Sequence, residues 1–225
     1  MRDYEEFPDT LSLNALFYIG NPQNLNIDTL RKLHGHFVRN KQFFSLEKLI
    51  KGGEQARVLF GSREMVHDYP ELALVELEDY ISDESSFFSQ EDFEKRVSVN
   101  QVISWLIEPK NNPKKLLLVG NELRDLKVEN TQKVFIQSVL MPVDRSGEPV
   151  FQTTLRVMVA DSDPIKRVEL AKNINQIIST ATGLKKHEDA YPEGKKFESF
   201  KQRSLIPKEV SEFILTADEV LSIIS

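Results

Sequence analysis

Cysteine is absent from all 225 residues. Its absence removes disulfides, thiolate nucleophiles and cysteine-held zinc or iron–sulfur clusters together. It also fits a reducing compartment. Glycine is scarce, at nine residues, and no GxxxxGK[ST], GxGxxG or GxSxG run occurs. Gly194-Lys195-Lys196 lacks both the upstream glycine and the hydroxyl residue of a phosphate loop. The chemistry of P-loop nucleotide sites, dinucleotide folds and hydrolase elbows therefore has no local signature. Long apolar runs are missing too. The longest are a few residues, such as Leu116–Val119, far below the ~18 a membrane helix needs. The N-terminal MRDYEEFPDT is acidic and carries no signal-peptide core. A net charge of −6 argues against a dedicated nucleic-acid binder, which normally shows a basic domain.

What is present is an ordinary globular balance, 40% hydrophobic and 28% charged, with 14 phenylalanines to fill a core. Leu11–Gly20 reads as a strand that ends in a Gly-Asn-Pro turn. Asp28 then marks a helix start, with Leu30, Leu33, Phe37 and Val38 at three- and four-residue spacing. Phe43–Ile50 (FFSLEKLI) alternates apolar and polar, Lys51-Gly52-Gly53-Glu54 turns, and Ala56–Gly61 returns. A short helix over 63–69 and an alternating strand over 72–81 follow. Strand, helix, strand, strand, helix, strand is the split βαβ order of ferredoxin-like folds.

Ser82–Glu94 is acidic and serine-rich and reads as a connector. Strand candidates at 101–107 and 115–119 precede the clearest unit of the chain. Val134–Val143 and Val150–Ala160 flank a turn, and Asp163-Pro164 opens a helix to about Thr180, since proline suits the first helical position. Its apolar positions Ile165, Val168, Ala171, Ile174 and Ile178 predict one core-facing stripe. Glu212–Leu215 reads as a last strand, and Thr216 caps a short helix from about Asp218. The expected fold is α+β, two ferredoxin-like halves with mostly antiparallel sheets. Its parts are 1–81, an acidic connector 82–100, and 101–225.

Few residues suggest chemistry. His34 and His36 lie two apart on a helix and point in different directions. His67 and His187 have only an adjacent acid, so the reading is no metal site, no cofactor and no catalytic residues. Asp161 and Asp163 are explained by helix capping. One stretch stands apart. Lys185–Lys208 holds seven Lys or Arg against four acids, interleaved with Tyr191, Phe197 and Phe200. Basic and aromatic side chains together hold phosphates and stack bases. The candidate nucleic-acid contacts are Lys185, Lys186, Lys195, Lys196, Phe197, Lys201 and Arg203. A mixed-charge loop lying over the core is the plainer reading of the same residues.

Several stretches, taken in order, resemble the N-terminal region of conjugation-type and HerA-like hexameric ATPases, the motors of type IV secretion. They begin with Ser45-Leu46-Glu47, Lys51-Gly52-Gly53, Arg57-Val58-Leu59-Phe60, Tyr69-Pro70 and Leu77-Glu78-Asp79-Tyr80. Phe135-Ile136-Gln137 with Leu140-Met141-Pro142-Val143 is similar to that family's "iQ-vl-P" strand, and Phe151 with Leu155-Arg156-Val157 to its "F…iRv" strand. Phe213–Val220 resembles the segment that leads into the ATPase domain. In the family a histidine-proline motif and a Walker loop follow, whereas this sequence stops at Ser225, so no nucleotide-binding residue carries over. The resemblance implies a non-catalytic accessory or N-terminal domain of a DNA-translocation ATPase. Its partners would be the hexameric ATPase or secretion-system proteins, with DNA as a further contact. Its place would be the cytoplasm, reaching the inner face of the membrane through partners and not through an integral segment. The alternatives are a stand-alone nucleic-acid-binding or protein-interaction protein using Lys185–Lys208, and a hydrolase whose site the sequence does not reveal.

Overall fold

In the computed structural model, residues 14–40, 42–81, 97–98, 102–103, 121–144, 148–182, 200–203 and 214–224 are described. The fold is α+β and rests on one antiparallel sheet. Its strands are β1 (Asn14–Ile19), β2 (Phe44–Lys51), β3 (Glu54–Ser62), β4 (Leu74–Leu77), β5 (Val97–Ser98), β6 (Val102–Ile103), β7 (Lys133–Val143), β8 (Val150–Ala160) and β9 (Ile214–Thr216). The order across the sheet is β4-β1-β3-β2-β7-β8. The outer edge of β8 carries three short strands in turn: β9 beside 150–152, β6 beside 155–156 and β5 beside 159–160. The helices are α1 (Ile27–Asn40), α2 (Met65–Asp68), α3 (Pro164–Thr182) and α4 (Ala217–Ile224). None of them is long and apolar enough to cross a membrane.

The turns and caps follow from local chemistry. Lys51 and Glu54 face each other in register, so Gly52-Gly53 forms a two-residue loop. Both glycines have positive φ, +56° and +86°, which such hairpin turns require and side chains resist. Helix α3 starts on Asp163, whose Oδ1 accepts from the Ile165 amide at 2.9 Å. Helix α4 starts on a capping box: the Thr216 amide donates to Glu219 Oε2 (2.8 Å), and the Glu219 amide donates back to Thr216 Oγ1 (3.4 Å). At α1 the cap is Asn26, which accepts from the Thr29 amide at 3.1 Å. Asp28, the expected start, lies inside the first turn and pairs with Arg31.

On one sheet face Phe17, Leu46, Ile50, Leu59, Ile136 and Leu155 join Leu30, Leu33 and Phe37 of α1 and the inner faces of α3 and α4. Strand β2 pairs with β7 from Phe44 to Lys51, so the two parts of the chain share one sheet. The expected packing stripe of α3 needs correction. Leu170, Ala171, Ile174 and the partly buried Ile177 meet the core, while Ile165 and Val168 are 69% and 39% exposed. At about 100° per residue the last two fall on the opposite side of the helix from Leu170. Ile178 lies outside the described side chains, as do the strand candidate at 115–119 and most of the connector.

Ile174 is fully buried, so Ile174→Ala should cost about 2–5 kcal/mol in urea unfolding. Ile165→Ala should change stability by less than about 0.5 kcal/mol. Equal effects of the two substitutions would refute this assignment of the helix face.

Candidate functional site

Neighbouring residues on a strand point to opposite faces. Glu47 and Lys48 are such neighbours on β2, and neither side chain reaches solvent. A buried charge is costly unless paired and hydrogen-bonded. The two stand on opposite faces of the sheet.

Glu47 lies on the face away from α1. Its Oε1 accepts from Ser45 Oγ (2.6 Å), Gln137 Nε2 (3.1 Å) and Arg203 Nε (2.9 Å). Gln137 also donates to the Phe200 carbonyl (3.2 Å), and its Oε1 accepts from Arg156 Nη1 at 2.6 Å. Arg203 reaches on to Asp79 with both Nη atoms, at 3.0 and 3.1 Å, and donates to the Lys201 carbonyl at 2.7 Å. One guanidinium, that of Arg203, thus bridges two carboxylates, while the Gln137 amide links Glu47 to Arg156. The ring of Phe60 lies 5.0 Å and that of Tyr80 5.7 Å from the Arg203 guanidinium, and Arg156 sits 5.4 Å over Phe200. Burial opposes the Arg203 charge, but Glu47 and Asp79 more than offset it and raise its pKa above the ordinary guanidinium value. Arg203 also holds φ at +53°, a left-handed conformation that costs a residue bearing a Cβ about 1–2 kcal/mol and persists where contacts over-determine it.

This arrangement bears on the candidate nucleic-acid residues. Arg203, expected to face phosphates, is 1% exposed and paired inside the protein. The physical reason is Glu47, whose buried carboxylate requires a fixed cation. Phe200 is likewise fully buried, against Phe135. Lys201 is half-buried. Lys185, Lys186, Lys195, Lys196 and Phe197 lie outside the described residues.

Lys48 faces the other way, toward the helices. Its direct cross-strand partner is Arg57. Burial, then Arg57 and Arg124, push the Lys48 pKa down from 10.5 to about 7. Burial and Arg124 lower Arg57 to about 10. Nothing in the sequence marked the Lys48–Arg57 pair, because each cation alone reads as a surface residue of an alternating strand.

Two of the histidines, His34 and His36, contact neighbouring elements. His34 Nε2 lies 3.2 Å from the Val143 carbonyl with its ring against Phe151, and His36 lies 3.7 Å from Asp68. Asp161 accepts from the Asp163 amide ahead of α3. Among the described residues no three of His, Asp or Glu gather as metal ligands. Compared with protein-family models, curated proteins and solved structures, the chain matches none.

Removing one partner of the buried pair, by Glu47→Gln or Arg203→Met, should cost about 3–5 kcal/mol in urea unfolding. The double variant should lose less than the sum of the singles; strict additivity would argue against direct coupling. A second expectation concerns Lys48. Its folded pKa is depressed, so between about pH 7.5 and 9.5 the unfolded chain binds the extra proton and stability rises with pH. The slope should approach about 1 kcal/mol per pH unit and should vanish in Lys48→Met. Parallel stability curves for the two proteins would contradict it.

Proposed function

We propose that this chain is a non-catalytic accessory or N-terminal domain of a type IV secretion or HerA-like DNA-translocation ATPase, mediating assembly or contact with protein partners and DNA. The observation that carries the reading is convergence. Glu47, Asp79, Gln137 and Arg156 come from four separate stretches of the resemblance, and all four enter one polar network, buried except at its Asp79 end. Tyr80, from one of these stretches, and Phe60, from a fifth, lie against its Arg203. Stretches that resemble a family only as common strand patterns have no reason to share one polar network. The capped α4 corresponds to the segment that leads, in that family, toward the motor.

The finer architecture belongs to the same proposal. Strand order β4-β1-β3-β2, with α1 after β1 and α2 after β3, supports a ferredoxin-like first half over 1–81. The second half over 101–225, beyond a connector at 82–100, is proposed on the β7–β8 hairpin followed by α3 and the return of β9 to β8. A cytoplasmic position at the inner face of a membrane follows from the proposed ATPase partner.

Pull-down of the chain against the products of its neighbouring genes should retain a ring ATPase. Retention of none, with the bait shown folded by circular dichroism, would sink the proposal. The isolated chain should also show no ATP binding by calorimetry and no turnover, since no phosphate-cradling loop is present. Micromolar ATP binding or measurable hydrolysis would overturn it.

A further inference from the structure

Helix α1 carries Lys32, His36 and Arg39 at successive four- and three-residue steps, so the three share one face. Gly35 lies among them, four residues before Arg39. Glycine weakens the middle of a helix, and a Cβ at this position would meet no atom within 4 Å. Packing therefore does not require the glycine. Its effect is to leave the helix surface bare where a side chain would stand. Arg39 turns back toward this spot, its Nε donating to the Gly35 carbonyl at 2.8 Å. It has no acid partner among the described residues.

The bare surface belongs to an open groove of about 730 Å³, lined by Lys32, Gly35, His36 and Arg39 of α1 and by Asp68 and Tyr69 at the end of α2. Two permanent cations thus share the groove with one acid. Lys32 also reaches Glu71, at 3.3 Å, and Asp68 lies 3.7 Å from His36 Nδ1, which leaves Arg39 as the unmatched charge. A separation of 3.7 Å is too long for a hydrogen bond, and His36 Nε2 is buried without a partner. The imidazole therefore uses none of its hydrogen-bonding capacity, which is uncommon for a largely buried polar ring. We propose that this groove binds a phosphate group, held by Arg39 with Lys32 and His36 beside it. A phosphate offers several acceptor oxygens and matches both the fork of a guanidinium and the point charge of an ammonium. Gly35 lets it come close to the helix. The ester of a small molecule and the backbone of a nucleic acid both present that group, and the test separates them. The site does not depend on the ATPase reading, and its failure would leave that reading standing.

Amide NMR titration of the full chain, at fixed ionic strength in chloride, tests the proposal with phenyl phosphate and with a DNA duplex as probes. At least one probe should saturate, with the largest shifts at Gly35, His36, Arg39 and Tyr69. Saturation by phenyl phosphate assigns a small ester, and saturation by the duplex alone assigns a nucleic-acid backbone. Arg39→Gln should weaken binding about tenfold, the loss expected for one charged hydrogen-bonding partner. Arg39 is exposed, so this variant should fold. Gly35→Ala should raise the melting temperature, because alanine favours helix and its Cβ meets nothing, yet it should weaken binding by covering the bare surface. A purely structural glycine would not separate those two readouts. Arg31→Gln, which removes a cation paired with Asp28 outside the groove, should leave the affinity unchanged. No saturation by either probe would overturn the proposal. So would shifts centred away from α1, unchanged affinity in Arg39→Gln, or an equal loss in Arg31→Gln.

Discussion

A carboxylate sealed between packed layers needs a cation that cannot drift away, and the far face of this sheet is organised by that need. Glu47 is held by Arg203, 156 positions later in the chain. The arginine brings Phe200 with it, and Phe200 covers Phe135 and lies under Arg156. Asp79 takes the remaining guanidinium nitrogens and positions Ile81 through a 2.9 Å bond to its amide. A buried ion pair adds little net stability over an apolar substitute, while losing one partner is costly. Its contribution here is to specify which segments close over the sheet.

Much of the scaffold was legible because it rests on short-range chemistry. Gly52-Gly53, Asp163-Pro164 and Thr216 with Glu219 each state a turn or a cap within four residues. The β7–β8 hairpin pairs from Lys133 with Ala160 to Val143 with Val150, near the limits its composition indicates. The site was much less legible. In FFSLEKLI, alternation shows which residues share a side but not whether that side is covered. The cover over Glu47 comes from residues 79–81 and 200–203, which have no periodicity to read. Arg203 and Phe200 therefore looked like members of a basic, aromatic surface strip. Ile165 and Val168 misled in a related way, because a helix with apolar residues on several sides does not declare which side it buries.

The contrast across β2 is the more informative for function. Glu47 and Lys48 are adjacent in sequence and equally inaccessible, yet one accepts from Ser45, Gln137 and Arg203 while the other stands opposite Arg57 across the ladder. Natural sequences tend to agree with local rules except where something other than stability is being served. By that measure the Glu47 side is architecture. On the Lys48 side two cations, Lys48 and Arg57, stand opposite each other across β2 and β3, a pairing that a ladder disfavours.

The pairing of β2 with β7 has a consequence for how the chain is made. Glu47 and Gln137 lie 90 residues apart, so the middle of the sheet joins partners that leave the ribosome at different times. Strands β1 to β4 can pair with one another early, but one whole edge of β2 then waits for residues 133–140. During that interval the nascent chain offers an unpaired strand edge flanked by Phe44, Leu46 and Ile50, the kind of surface that seeks the wrong neighbour. Lys51 at the end of that strand and Glu47 within it place charge on the waiting edge, a known deterrent to stray pairing. Glu47 would thus serve twice: as a guard during synthesis, and later as the anchor for Arg203.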